Sequence, residues 1–467
     1  MMTKNIARAT ASVRMARTSG VLSSLAVTLA TVAGLGALAP SVLAQTSQPT
    51  QSADQAQLIK QGAYLARAGD CIACHTAKGG KPFAGGLPMA TPIGTIYSSN
   101  ITPDKTHGIG DYTLEDFDKA VRHGVAKNGD TLYPAMPYPS YAKVKPSDIK
   151  ALYAYFMNGV QPVAQANKAT DIAWPMSMRW PLSIWRSLYA PAVVSDDSMT
   201  GDADAVTRGR YLVEGLAHCS ACHTPRKVTM EESALSDDGS TFLSGAVIDG
   251  YLAKNLRGDV NDGLGKWSEA DIVAFLKGGR NSHSAAFGGM AEVVENSTQY
   301  MTDADLTAIA QYLKTLKPVR ADQAPLAYND ATEQMFHSGK ASSNGAIQFL
   351  NNCAACHRTT GLGWKETFPA LALSSTVNTQ DPTSLIHIVL GGAEMPWTTS
   401  APTHYAMPAF AQRLNDQDIA DLLTFVRSGW GNNAPPVTPD MVAKVRKTLP
   451  ETPREASEKS LSPVNKD

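Results

Sequence analysis

Apolar positions along this chain recur at helical spacing in three sets of three. The first helix of each set opens on a glycine and carries an aromatic: Gly62, Tyr64 and Leu65; Gly209, Tyr211 and Leu212; Gly345, Phe349 and Leu350. The glycine predicts close approach to another helix, and the aromatic fills that contact. A middle helix runs from Thr113 to Gly124, from Ser268 to Gly278 and from Thr383 to Gly391. Each has a hydroxyl N-cap candidate, an apolar stripe and a closing glycine. The last helix starts at Ser147, Thr302 and Asn415. Acids in its first turn suit the positive end of the helix dipole. Repetition of this kind sets the architecture: a mainly α chain with three tandem small domains, at 55–165, 201–320 and 330–430.

The repeats are not identical. Repeats one and two share Asn100, Ile101, Gly108, Gly110 and Tyr112 against Asn255, Leu256, Gly263, Gly265 and Trp267. Repeat three has Phe368, Pro369, Ala370 and Leu371 instead. Between repeats one and two, residues 166–200 form an aromatic linker with Trp174, Trp180 and Trp185, three of the seven tryptophans. It reads either as an ordered strap packed on its neighbours or as a docking surface for a partner or membrane. Residues 431–467 read as a polar C-terminal tail, disordered after Pro450.

Composition changes this picture little. The 467 residues are 43% hydrophobic and 18% charged, with a net charge of −1. That balance is ordinary for a globular protein and gives no reason to propose a nucleic-acid partner. The amino-terminal end is more telling. Lys4, Arg8, Arg14 and Arg17 precede an apolar run from Val21 to Ala39, closed by Val42, Leu43 and Ala44. Residues 1–44 therefore read as a signal peptide, with an uncleaved anchor as the alternative. The expected location is the periplasmic face of the inner membrane.

The six cysteines carry the chemistry. An exported chain normally pairs its cysteines as disulfides. Here Cys71 and Cys74, Cys219 and Cys222, and Cys353 and Cys356 each form a C-x-x-C pair followed at once by His75, His223 and His357. This is the pattern of c-type haem attachment: two thiols reach two vinyl groups, and the histidine sits beneath the iron. Zinc would need two such pairs close together, but these lie 148 and 134 residues apart. A redox dithiol does not need the histidine. Three covalent haems c follow, each supplying much of the core of a small helical domain.

A thioether on the open side of each iron would make an electron-transfer site. It should lie between the second and third helices of each repeat. Met136, Met290 and Met407 occupy that stretch, 61, 67 and 50 residues after their histidines. Met301 is the rival for Met290, and Met395 for Met407. His283 is the alternative ligand in repeat two, and His218 is misplaced for the iron's far face. A backbone carbonyl on each histidine Nδ1 is expected, from Pro369 in repeat three.

From about Leu58 to Gly431 the chain resembles the triheme cytochrome c subunits of membrane-bound periplasmic dehydrogenases. The residues that carry this are Gly79 to Gly86, Pro92 to Pro103, Tyr133 to Pro139 and Phe287 to Met290. The resemblance implies three tandem class I cytochrome c domains. It also implies a separate catalytic subunit, carrying FAD or PQQ, that oxidises the substrate, and a small third subunit. This chain would pass the electrons through its haems to ubiquinone, in peripheral contact with the membrane. The first segment looks closer to the cytochromes of gluconate 2-dehydrogenase than to those of alcohol dehydrogenase. A subunit of a PQQ-dependent alcohol or aldehyde dehydrogenase is the alternative, and a free multihaem shuttle or haem peroxidase is the contrasting class. No catalytic site of its own is expected.

Overall fold

The computed structural model describes residues 48–197 and 204–449. The expected signal peptide at 1–44 and the tail from Pro450 lie outside the described residues. Repeat one contains α1 (Gln48–Ala68), the antiparallel hairpin β1 (Pro88–Thr91) and β2 (Gly94–Tyr97), α2 (Leu114–His123) and α3 (Pro146–Asn158). A third strand, β3 (Asp171–Ile172), returns from the linker and pairs antiparallel with β2, Gly94 opposite Ile172. The linker then forms α4 (Trp180–Tyr189). Repeat two contains α5 (Ala205–Tyr211), the hairpin β4 (Ala246–Ile248) and β5 (Tyr251–Ala253), α6 (Glu269–Gly278), α7 (Gly289–Asn296) and α8 (Asp303–Thr315). Repeat three contains α9 (Asn344–Asn352), α10 (Thr383–Gly391), the short strands β6 (Ala393–Glu394) and β7 (Ala406–Met407), α11 (Asp416–Ser428) and α12 (Pro439–Arg446).

The glycine of each first helix does what its sequence position implies. A Cβ on Gly62 would lie 1.9 Å from the Ala151 carbonyl oxygen, one on Gly209 1.9 Å from that of Ala308, and one on Gly345 2.2 Å from that of Asp421. First and last helices of each repeat therefore cross in backbone contact, a separation only glycine permits. Capping follows the sequence in most places. Thr113, Ser268 and Asn415 each form a reciprocal capping box with the aspartate three residues on, worth about 1 kcal/mol apiece.

Several helix ends differ from expectation: α1 and α5 begin well before Gly62 and Gly209, and α10 closes on Gly392 rather than Gly391. α3 begins at Pro146 with Lys145 at its N-cap, so Ser147 lies inside the helix; proline is preorganised for the first helical position. α10 likewise has Pro382 as its N-cap, and Thr383 makes no cap. α6 closes on Gly279, not Gly278, because Gly279 takes the left-handed conformation at φ 72°. The hairpins were not foreseen, since their strands are only three or four residues long. Nor was α12 foreseen. Val442 and Val445 bury one face of it in repeat three, and Arg446 bonds Asp416 at 2.7 Å. The ordered chain thus continues past residue 431.

Repeats one and two share one core. Leu65, Phe117, Leu152 and Phe156 belong to the same buried cluster as Leu212, Leu216, Trp267 and Tyr312. Polar pairs cross this junction reciprocally. Tyr211 of repeat two donates to Asp148 of repeat one at 2.7 Å, and Tyr64 of repeat one donates to Asp305 of repeat two at 2.5 Å. Arg208 also grips Asp305 through two bonds of 2.8 and 2.9 Å. Repeat three keeps its own core around Phe349, Leu390, Leu423 and Trp430. It docks on repeat two through α10 and the loop around Trp397: Trp397 N–H donates to Glu295, Leu252 N–H to Ser384, and the Tyr251 and His387 rings meet at 4.1 Å.

Candidate functional site

Each C-x-x-C-H motif sits on a one-turn helix that the preceding helix delivers. None of the six cysteines is in a disulfide. In repeat one, Cys71, Cys74, His75 and Met136 line a single cavity of ≈520 Å³, walled by apolar side chains including Phe117, Leu152 and Phe156. In repeat three, Cys353, Cys356, His357 and Met407 line a cavity of ≈200 Å³, and so does the rival Met395. In repeat two, Met290 stands partly buried in the first turn of α7, while Met301 is 1% exposed within the shared core. That is the usual place of a space-filling methionine.

The three histidines are held alike. His75 Nδ1–H donates to the Ser99 carbonyl at 2.7 Å, His223 to that of Lys254 at 2.7 Å, and His357 to that of Pro369 at 2.9 Å. The bond fixes ring and tautomer, and leaves Nε2 with its lone pair for a metal. Ser99 and Lys254 directly precede Asn100 and Asn255, the shared asparagines. Asn100 Oδ1 accepts from Thr102 N–H, and Asn255 Oδ1 from Arg257 N–H, which turns the chain so that the preceding carbonyl faces the ring. Burial lowers all three imidazoles, His223 to about 4, so each ring is neutral.

Burial pushes Cys71, Cys219 and Cys353 up to about 12, and Cys74 and Cys222 up to about 11. A redox C-x-x-C motif lowers its attacking thiol instead. Among the described residues no cluster of His, Cys, Asp and Glu could hold a bare metal ion. Two thiols three residues apart, a neutral imidazole with one free nitrogen and, in repeats one and three, a thioether lining the same apolar cavity fit a covalently held haem.

Other histidines are engaged elsewhere. His283 stacks on Trp267 at 5.5 Å and reaches Asp271 at 3.3 Å. His218 of repeat two lines the cavity of repeat one and meets the Tyr141 ring at 5.5 Å. Sequence reasoning missed this crossing, and it missed Tyr133 and Arg179, which line the same cavity.

Three C-x-x-C-H motifs in three helical repeats define the class of tandem cytochromes. The chain belongs to the cytochrome c family, which matches residues 59–159, 206–317 and 342–430. It is 58% identical over 413 residues to the gluconate 2-dehydrogenase cytochrome c subunit of Pantoea cypripedii, covering 87% of this chain and 94% of that protein. It is 51% identical over 432 residues to the cytochrome c subunit of the quinone alcohol dehydrogenase of Komagataeibacter europaeus, covering 92% and 91%. The fructose dehydrogenase cytochrome subunit of Gluconobacter japonicus is 38% identical over 430 residues, covering 87% and 86%.

Proposed function

We propose that this chain is the electron-transfer subunit of a membrane-bound periplasmic dehydrogenase, of the gluconate or sugar-acid type, with three covalent haems c. The observation that carries the reading is the meeting of C-x-x-C-H motif and methionine in one apolar cavity in repeats one and three. The ligand pairs are His75 with Met136, His223 with Met290 and His357 with Met407. The thiols of Cys71, Cys74, Cys219, Cys222, Cys353 and Cys356 tether the porphyrins. When bound, a haem with both axial positions filled cycles one electron and has no site for substrate.

The three sites adjoin. Leu216 and His218 of repeat two line the cavity of repeat one. Ala285, Ala286 and Phe287 of repeat two form part of the cavity wall of repeat three. This supports transfer along a row of haems, from a flavin- or PQQ-bearing catalytic subunit toward ubiquinone. The 58% identity to a gluconate 2-dehydrogenase subunit favours that partner over a PQQ-dependent alcohol dehydrogenase.

Among the described residues no helix is long and apolar enough to cross a membrane. Peripheral contact is supported by α4 and the turn before it. Trp174 is 80% exposed, Trp180 64%, Ile184 52% and Leu188 69%. Positions 180, 184 and 188 form one helical face. Tryptophan beside aliphatic residues on such a face suits the lipid headgroup level. The other face packs inward: Leu182 joins Ile96, Tyr133 and Ile172, and Arg186 donates to the His123 carbonyl at 3.3 Å.

The test is purification of the tagged chain from membranes. Three porphyrin additions by mass, low-spin reduced spectra without carbon monoxide binding, and a co-purifying flavin or PQQ subunit are expected. A carbon monoxide-binding haem would favour a peroxidase, and a chain that purifies alone would favour a free shuttle.

A further inference from the structure

The carbonyls that hold the three histidines belong to Ser99, Lys254 and Pro369. The backbone does the same work in each repeat, but only repeat two carries a charge at this position. The Lys254 ammonium lies 4.1 Å from the centre of the Trp267 ring, itself 5% exposed, and donates to the Ser375 hydroxyl of repeat three at 2.7 Å. Ser374 and Thr376, on either side of Ser375, line the cavity of repeat three. The charge therefore stands at the junction of the second and third sites.

A cation taken out of water is normally paired with a carboxylate. Lys254 has no such partner among the described residues: burial is the one influence on it, and lowers it to about 7. The Trp267 face offsets part of the lost hydration, and the Ser375 hydroxyl takes one of its three N–H groups. The charge is felt at His223. Burial lowers the His223 imidazole to about 4; the Lys254 carbonyl opposes that lowering, and the Lys254 ammonium adds to it. A field that disfavours a proton on this ring also disfavours the extra positive charge of an oxidised iron bound to it.

We propose that Lys254 is a potential-setting residue: its ammonium raises the reduction potential of the haem held by His223, and more weakly that of the haem in repeat three. The inference rests on the reading of the three motifs as haem sites. A fixed charge beside a haem is one of the levers by which a protein tunes it. A haem carboxylate is the anion that this site would bring with it. Pairing with Lys254 would withdraw negative charge from the iron and act in the same direction. The three repeats share one scaffold, so a single side chain at position 254 gives the middle site a character of its own. It also accounts for a lysine enclosed between two repeats with no carboxylate beside it.

The test is a redox titration of the full chain with its haems attached, at pH 6, where Lys254 is mostly charged, with porphyrin additions counted by mass. Lys254→Met keeps an unbranched apolar stem and removes the charge. One midpoint should fall by about tenfold in the reduction equilibrium, about 59 mV for one electron. A second should fall by less, and the third should not move. Lys254→Gln, which keeps a donor for Ser375, should give the same fall. Lys254→Arg, which keeps the charge, should restore the midpoints of the unaltered chain. Three unmoved midpoints in Lys254→Met and Lys254→Gln would refute the proposal. So would a fall that Lys254→Arg does not reverse, because it would follow from packing and not from charge. In either case a porphyrin on Cys219 and Cys222 of the unaltered chain leaves the haem reading standing. If those two thiols carry none, that reading fails and the role of Lys254 fails with it.

Discussion

Gly209→Ala probes the shared core of repeats one and two. An added Cβ would sit 1.9 Å from the Ala308 carbonyl oxygen, where real Cβ contacts stay above 3.0 Å. α5 must then back away from α8 by at least about 1 Å. Overpacking of this size costs about 1–3 kcal/mol or more. Alanine returns about 1 kcal/mol through its higher helix propensity. The displaced helix carries Tyr211 and Leu212 into the core common to both repeats, and Tyr211 also bonds Asp148. A net loss of up to about 2 kcal/mol is therefore expected, spread over both repeats. Gly345→Ala is the comparison. Its Cβ would meet the Asp421 carbonyl oxygen at 2.2 Å, a similar clash inside a separate core. Hydrogen exchange read by mass spectrometry distinguishes the two. Gly209→Ala should raise exchange across both 59–159 and 206–317 and spare 342–430, and Gly345→Ala should raise it in 342–430 alone. If Gly209→Ala loosened only 206–317, repeats one and two would be independent and the shared-core argument would be wrong.

Two further outcomes are expected. Burial tends to raise the Asp305 carboxyl, but its bonds to Arg208 and Tyr64 more than reverse this and leave it below the ordinary value. Its contribution is therefore complete above about pH 4 and is lost as pH falls through the lowered value. Thermal melts between pH 3 and 6 should show this loss in the native chain and a flatter profile in Asp305→Asn; equal slopes would remove Asp305 from the junction. In repeat three, Met407→Leu should expose one haem to carbon monoxide and lower one potential, whereas Met395→Leu should do neither. The reverse result would move the ligand to Met395.

Much of this was legible because it rests on local chemistry. The glycines at 62, 209 and 345 mark helix crossings, and the capping boxes at Thr113, Ser268 and Asn415 mark helix starts. The repeated Asn100 and Asn255 were visible as a match without a reason. The reason is backbone geometry, because the carbonyl that each asparagine turn presents belongs to Ser99 or Lys254. A backbone acceptor leaves no residue-type signature, so Ser99 and Lys254 could not be named. Pro369 was named for repeat three with no such signature to point to it, and its carbonyl does accept from His357. Tyr133 and Arg179 escaped for another reason. They are 46 residues apart, and only the pairing of β3 with β2 and the packing of Leu182 bring the linker over the cavity. α12 escaped because its buried face is as small as Val442 and Val445.

One position explains why three similar repeats assemble as a pair and a single. The third residue of each last helix is an aspartate: Asp148, Asp305 and Asp418. In repeats one and two this carboxylate accepts a hydroxyl from the neighbouring repeat, Asp148 from Tyr211 and Asp305 from Tyr64. Each tyrosine lies two residues after the crossing glycine, so the helix that enters the crossing also presents the donor. The exchange is reciprocal, as in an interface between like subunits. In repeat three the residue two after the glycine is Ile347, which is 41% exposed and has nothing to donate. Asp418 instead accepts from Asn415 N–H and from Asn344 within its own repeat. With its aspartate satisfied internally and no hydroxyl to offer, repeat three cannot enter the exchange. It is left to dock by α10, through Ser384 and His387, and by the loop that carries Trp397, where these meet repeat two.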